Sequence, residues 1–214
     1  MIIVGAKGFA REMLSELSLL QKFQSKSIVL YDDVNPVTIN IPASEHKILR
    51  SIDEAKLFMK DNADFDYVLG LGGPENRRKL YHQFKNLGGT PVTIISKNAD
   101  VVSLNNKIGE GSFIGSGAVI TSNVTTGIGV LININSSVSH DAKIGDFVEI
   151  CPGVTITGNV KIGKNTFIGA GSNILPNIRI GENVVIGAGS LINRDIPDNA
   201  LVYGVPGKII RNNG

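Results

Sequence analysis

From Val102 to Ile192 an aliphatic residue returns at every sixth position: Val102, Ile108, Ile114, Ile120, Ile132, Val138, Ile144, Ile150, Ile156, Ile162, Ile168, Ile174, Ile180, Ile186 and Ile192. Thr126 alone breaks the series, and no insertion shifts its phase. Two places before the next aliphatic stands a small or β-branched residue, as at Ser112, Ala118, Val124, Val130, Ser136 and Ala142. Gly often follows the aliphatic (Gly109, Gly115, Gly145, Gly163, Gly169, Gly181, Gly187), where a corner at positive φ would favour it. Neither a 3.6-residue helix nor an alternating hairpin has a strict period of six. The pattern predicts a parallel β-helix of about 18 residues per three-sided coil, so about five coils. Stiff Ile and Val side chains suit its stacked apolar column. One coil cannot bury its own face, so the stack is stable only as a unit.

Residues 1–95 follow another pattern. Met1–Gly5 is a short apolar run ending in the turn Gly5-Ala6-Lys7-Gly8. Ala10, Met13, Leu14, Leu17 and Leu20 then predict a helix from Phe9 to about Phe23. Ser27–Tyr31 reads as a second strand closing on Asp32-Asp33, and 34–50 reads as irregular. Ser51 with Glu54 forms a capping box opening a helix to about Lys60. Asp66–Leu71 reads as a third strand, 75–86 as a helix and Pro91–Ile95 as a fourth strand. Such βα alternation implies a small, Rossmann-like parallel sheet. The expected organisation is an α/β domain over 1–95, an all-β parallel β-helix over 96–194 and a tail over 195–214.

Charge adds exclusions. There are 21 basic against 19 acidic residues and no basic block, which points away from nucleic acid and anionic membrane surfaces. Single Cys151 rules out an internal disulfide framework and fits a reducing compartment. The opening MIIVGAKG lacks the basic n-region of a signal peptide, and no apolar run is long enough to span a bilayer. A cytoplasmic protein is expected.

Candidate chemistry lies in two places. In a parallel α/β sheet, ligands sit beyond the carboxyl ends of the strands. Gly5 and Gly8 would let backbone approach a phosphate at the first helix N-terminus, and Gly70–Gly73 offers a second such turn. Asp32 and Asp33 would accept hydrogen bonds from a sugar or base. Gly-x-x-Gly is equally the spacing of an ordinary tight βα turn. Of three histidines, His46 and His82 read as solvated surface, and His140 lies inside the repeat, followed by Asp141. A lone coil histidine can be mere surface. As chemistry, it is a general base whose imidazolium Asp141 would support. Gly158, eighteen residues on, would place its N–H near His140 to bind an oxyanion. A zinc site of the gamma-carbonic anhydrase type needs three histidines, and the coils hold one, so no metal is expected.

With these features the chain resembles the hexapeptide-family left-handed β-helix acyltransferases. More narrowly, it is similar to the nucleotide-sugar 4-amino N-acetyltransferases and the sialic acid O-acetyltransferases. The tail's Val205-Pro206-Gly207-Lys208 is similar to the family's Val-Pro-Ala-Lys. The resemblance implies left-handed coils, acetyl-CoA as co-substrate and a homotrimer with CoA between neighbouring coils. It also implies transfer to the 4-amino group of a nucleotide-linked 4-amino-4,6-dideoxy sugar for surface glycan synthesis. O-acetylation of a sialic acid or another sugar hydroxyl, and a non-catalytic binding module, are the alternatives. His140 matches the family's base, Asp141 its acidic partner, and Gly158 the glycine facing the thioester carbonyl. Lys7, Gly8, Phe9, Asp32, Asp33 and Gly72 match positions holding the nucleotide-sugar. Glu149, Ala170 and Ala188 match positions contacting acetyl-CoA, largely through backbone. Two positions depart from the family: Phe9 and Glu149 stand where histidine is found in relatives.

Overall fold

The computed structural model describes residues 1–35, 46–102 and 105–212. Two units emerge: Met1–Gly72 with Asn76–Val92, and Gly73–Glu75 with Thr93–Gly214. In the first, β1 (Ile2–Val4), β2 (Val29–Tyr31), β3 (Ile48–Leu49), β4 (Asp66–Leu69) and β5 (Thr90–Pro91) form a parallel sheet ordered β3-β2-β1-β4-β5. β1 and β2 are buried along their whole length, as expected of strands in a sheet covered on both faces. The stretch 34–50 reads as irregular in the sequence. Residues 36–45 of it lie outside the described residues, and Ile48–Leu49 forms the short edge strand β3. Two residues of strand carry too little periodicity to be read.

Helices α1 (Gly8–Leu19), α2 (Ile52–Asn62) and α3 (Pro74–Asn86) connect the strands. α1 buries Ala10, Met13 and Leu17 as the spacing predicts, but stops at Leu19 and is followed by a 3₁₀ turn at Gln21–Phe23. At α2 the Ser51 hydroxyl accepts the Glu54 N–H at 3.2 Å, while the Glu54 carboxylate accepts the Arg50 N–H at 2.9 Å. The capping box thus forms with its return bond one residue further out than usual.

The expected strand Pro91–Ile95 is divided. Thr90–Pro91 completes the sheet, whereas Ile94–Ile95 pairs with Phe113–Ile114 as the first rung of the second unit. That unit is a three-faced parallel β-helix. Its first face stacks Ile114, Ile132, Ile150, Ile168 and Ile186; its second stacks Ile120, Val138, Ile156, Ile174 and Ile192; its third stacks Thr126, Ile144, Ile162 and Ile180. The small and β-branched residues two places earlier form further buried stacks at the corners, from Ser112 and Ala118 to Ser172. Thr126 keeps its place in the column because its hydroxyl accepts the Gly109 N–H at 3.1 Å.

Two sequence expectations are corrected. The series slips by one at its start: Val101, not Val102, stands opposite Ile120, and Val102 is 37% exposed. The sequence keeps apparent phase there because Val101 and Val102 are adjacent valines. The glycines after the aliphatics do not serve positive φ. Every sixth residue from Gly111 to Gly189 does, and all are Gly or Asn except Asp141 (φ 63°) and Phe147 (φ 54°). Gly163 instead allows close approach, since a Cβ there would lie 2.5 Å from the Gly181 carbonyl carbon of the next coil.

Candidate active site

The α/β unit carries a cavity of about 520 Å³ beyond the carboxyl ends of β1, β2 and β4. This is where the strand order reverses about β1, the customary ligand crevice of such sheets. Gly5–Lys7 and Phe9 line it from the first turn, Tyr31–Asn35 from the end of β2 and Gly70–Gly72 from the turn after β4. Lys7, Phe9, Asp32, Asp33 and Gly72 are therefore brought together. Gly8 is not part of that lining; it opens α1, and a Cβ there would meet nothing within 4 Å. Gly5 is the glycine the turn requires, at φ 121° with a Cβ position 2.6 Å from the Gly70 carbonyl oxygen. Lys7, the N-cap of α1, makes no side-chain cap bond.

The two aspartates differ. Asp32 is buried and holds its own turn, accepting the Asn35 N–H at 2.9 Å, the Val34 N–H at 3.1 Å and the Asn35 amide at 2.9 Å. Asp33 is exposed, and beside it the buried Tyr31 phenol is pushed above its ordinary range, first by burial and then by Asp33. Sequence reasoning missed the far wall, which is one stripe of α3: Asn76, Lys79, Leu80 and Gln83. Their helical spacing was visible, but the stripe is mostly polar and reads as solvated. It also missed Arg77, fully buried, whose Nη1 donates to the Leu71 and Leu69 carbonyls at 2.8 and 3.2 Å and ties down the turn after β4.

In the β-helix, His140 and Asp141 occupy the corner between the second and third faces. Asp141 sits at a left-handed φ that Asn, Asp and Gly tolerate best. Its Oδ2 lies 2.8 Å from His140 Nδ1, and Asn123, one coil earlier, donates to its Oδ1 at 2.6 Å. The Asn123 bond, and then His140, hold the Asp141 carboxyl below the usual carboxylate range. A carboxylate can only accept, so Nδ1 carries the proton and Nε2 of the neutral ring is left as the basic atom. The ring stands over Gly158, where a Cβ would fall 2.6 Å from Nε2 and Cε1. His140 and Asp141 side chains are 63% and 49% exposed.

The remaining candidates lie elsewhere on the coils. Glu149 is 7% exposed, and its Oε2 accepts the Gly73 N–H. Ala170 and Ala188 are exposed on a different corner, between the first and second faces. Cys151 shares that corner, and burial, helped by Glu149, pushes its thiol up to about 12. That keeps it protonated and poorly nucleophilic. Among the described residues no group of three or more His, Cys, Asp or Glu is placed to hold a metal ion, and no helix is long and apolar enough to cross a membrane.

Residues 159–194 match the family model of the bacterial transferase hexapeptide (six repeats). No curated protein matches the chain in sequence. Among solved structures, PerB from Caulobacter crescentus in complex with CoA and GDP-perosamine superposes with a TM-score of 0.85 at 26% identity, over 98% of this chain and 96% of that one. The acetyltransferase domain of PglB from Neisseria gonorrhoeae in complex with acetyl coenzyme A gives 0.82 at 27%, over 98% of both chains. WeeI from Acinetobacter baumannii gives 0.85 at 27%, over 98% of this chain and all of the other. Repeat, two-unit architecture and whole-chain similarity agree: the chain is built as these acetyltransferase structures are, an α/β unit followed by a parallel β-helix that carries the bacterial transferase hexapeptide repeat.

Proposed function

We propose that the protein is an acetyl-CoA-dependent N-acetyltransferase acting on the 4-amino group of a nucleotide-linked 4-amino-4,6-dideoxy sugar. The observation that carries this reading is the His140 Nδ1–Asp141 Oδ2 pair at 2.8 Å, with the free ring edge over Gly158. Two of the structural relatives were solved with CoA or acetyl-CoA, one of them with an amino-sugar nucleotide beside it, which supports the co-substrate and acceptor class. The α/β cavity takes the nucleotide-sugar, with Lys7 and the open N-terminus of α1 suited to its diphosphate.

In the reaction the sugar amine attacks the thioester carbonyl carbon, forming the C–N bond, and His140 Nε2 removes the amine proton. Asp141 supports the imidazolium, and the Gly158 N–H donates to the oxyanion. Collapse breaks the C–S bond, and the proton passes to the departing CoA thiolate. With its thiol held protonated, Cys151 takes no covalent part.

His140 and Gly158 stand on one corner of the prism and Ala170 and Ala188 on another. A pantetheine arm touching both sets needs a second copy, and a ring of three closes such a contact. We therefore read the protein as a homotrimer whose acetyl-CoA sites lie between copies. Lys7, Phe9, Asp33 and Gly72 hold the acceptor; Asp32 acts by shaping its turn.

The test is thiol release from acetyl-CoA with UDP-, dTDP- and GDP-linked 4-amino-4,6-dideoxy sugars, beside free sialic acid. Release with one amino sugar is expected, and His140→Ala should lower turnover about 10²–10⁴-fold. Release with sialic acid alone would replace the reading with O-acetylation. A loss within threefold for His140→Ala would remove the histidine from its role.

A further inference from the structure

The corner carrying His140 has its own vertical series. At left-handed φ stand Asn105, Asn123, Asp141, Asn159 and Asn177, eighteen residues apart. Asn and Asp suit this backbone equally, so the one acid in the series is not demanded by conformation. It falls beside the one histidine of the coils. Elsewhere the rungs are amide to amide, as from Asn159 Nδ2 to Asn177 Oδ1 at 2.8 Å and from Asn165 Nδ2 to Asn183 Oδ1 at 3.2 Å. Among the described residues, only the rung from Asn123 ends on a carboxylate that itself faces a titratable ring.

We propose that Asn123 is a positioning residue for the acyl transfer, fixing the Asp141 carboxylate so that Oδ2 meets His140 Nδ1. This rests on the reading of His140 as general base. The Asp141 side chain is half exposed, and its χ2 torsion is soft, so without a second anchor the carboxylate would sample other orientations. Asn123 supplies that anchor at 2.6 Å on the oxygen opposite the one used by His140. Because a carboxylate only accepts, the amide must present its NH₂, which fixes the amide's own orientation too. Asn123 and His140 are the groups that act on Asp141. The next cations along the chain, Lys143 and, one coil on, Lys161, are exposed on the adjoining third face. The consequence is a fixed tautomer: Nδ1 protonated toward Asp141, Nε2 left bare for the amine.

Asn123→Gly is the decisive variant, because glycine keeps the left-handed backbone (φ 58°) and removes only the amide. We expect kcat to fall about tenfold with KM for acetyl-CoA and acceptor unchanged. The histidine ¹⁵N spectrum should show His140 losing its Nδ1–H tautomer. In Asp141→Asn, adding Asn123→Gly should cost nothing further, since Asn123 acts only through the carboxylate. Asn165→Gly, which breaks a similar rung on another corner, should leave kcat unchanged. A loss below twofold for Asn123→Gly, an unchanged tautomer, or a loss that adds to that of Asp141→Asn would overturn the proposal. If the unsubstituted protein released no thiol with any acceptor, the acetyl-transfer reading would fall, while the histidine spectrum would still decide the role of Asn123.

Discussion

At the scale of single residues, Gly158 gives the sharpest test of the site. It is not among the glycines at positive φ, so alanine fits its backbone, yet the new Cβ would lie 2.6 Å from His140 Nε2. The ring is exposed and can swing away, so Gly158→Ala should melt close to the parent while turnover falls roughly 10–10²-fold. Equal turnover would mean the ring position is unimportant. Asp141 separates conformation from charge in the same way. Asp141→Asn keeps a left-handed side chain, and its amide can donate to Nδ1 and favour the wrong tautomer, so turnover should drop about 10²-fold with the melting temperature kept. Asp141→Ala should lose both, because alanine resists φ 63°. Cys151→Ala should stay within about twofold of the parent, given a thiol held up near 12. The His140–Asp141 pair was legible because a titratable dyad interrupts a repeat. Asn123 was not, since an asparagine eighteen residues away in sequence looks like any other corner residue until the coils are stacked. The turn-holding bonds of Asp32 were equally hidden: its contacts with Asn35 depend on how the chain leaves β2.

At the scale of elements, a period of six was enough to place the coils, because every inward position must carry an apolar or small side chain and the phase leaves no freedom. It was not enough to place the first rung. Val101 and Val102 offer the same side chain in adjacent positions, and only strand pairing shows that Val101 faces Ile120. The difference has a thermodynamic signature. Val138, fully buried on the same face, should lose about 2 kcal/mol or more on truncation to alanine. Val102→Ala should change stability by no more than about 0.5 kcal/mol, although both belong to the six-residue series. Denaturant melts at one protein concentration would read both, and equal losses would restore Val102 to the column. In the α/β unit the reverse holds. Helix faces were legible from 3.6-residue spacing, whereas β3 and the division of 91–95 were set by pairing partners that no local pattern displays.

At the scale of the whole molecule, the decisive fact is that the proposed base, His140, and the proposed CoA-contacting alanines lie on different corners of one prism. Within a single chain these corners are separated by the width of the second face. In the homotrimer proposed above, a ring of copies would bring the His140 corner of one to the Ala188 corner of the next, so that each site would draw one half from each neighbour. Ala188 is exposed beside Gly189, and a Cβ at Gly189 would meet nothing within 4 Å, so a bulky side chain at 188 should block the cleft without disturbing the coil. His140→Ala and Ala188→Trp should then each be inactive as pure assemblies. Co-expressed and assembled into mixed trimers, they should regain about a third of the parent's sites, because a site is intact when its histidine comes from one variant and its alanine from the other, and each mixed ring of three has one such junction. Thiol release by the mixed assembly, purified through two different tags, measures this directly. Recovery near that fraction requires shared sites, and a mixture as dead as its components would return the whole site to a single chain.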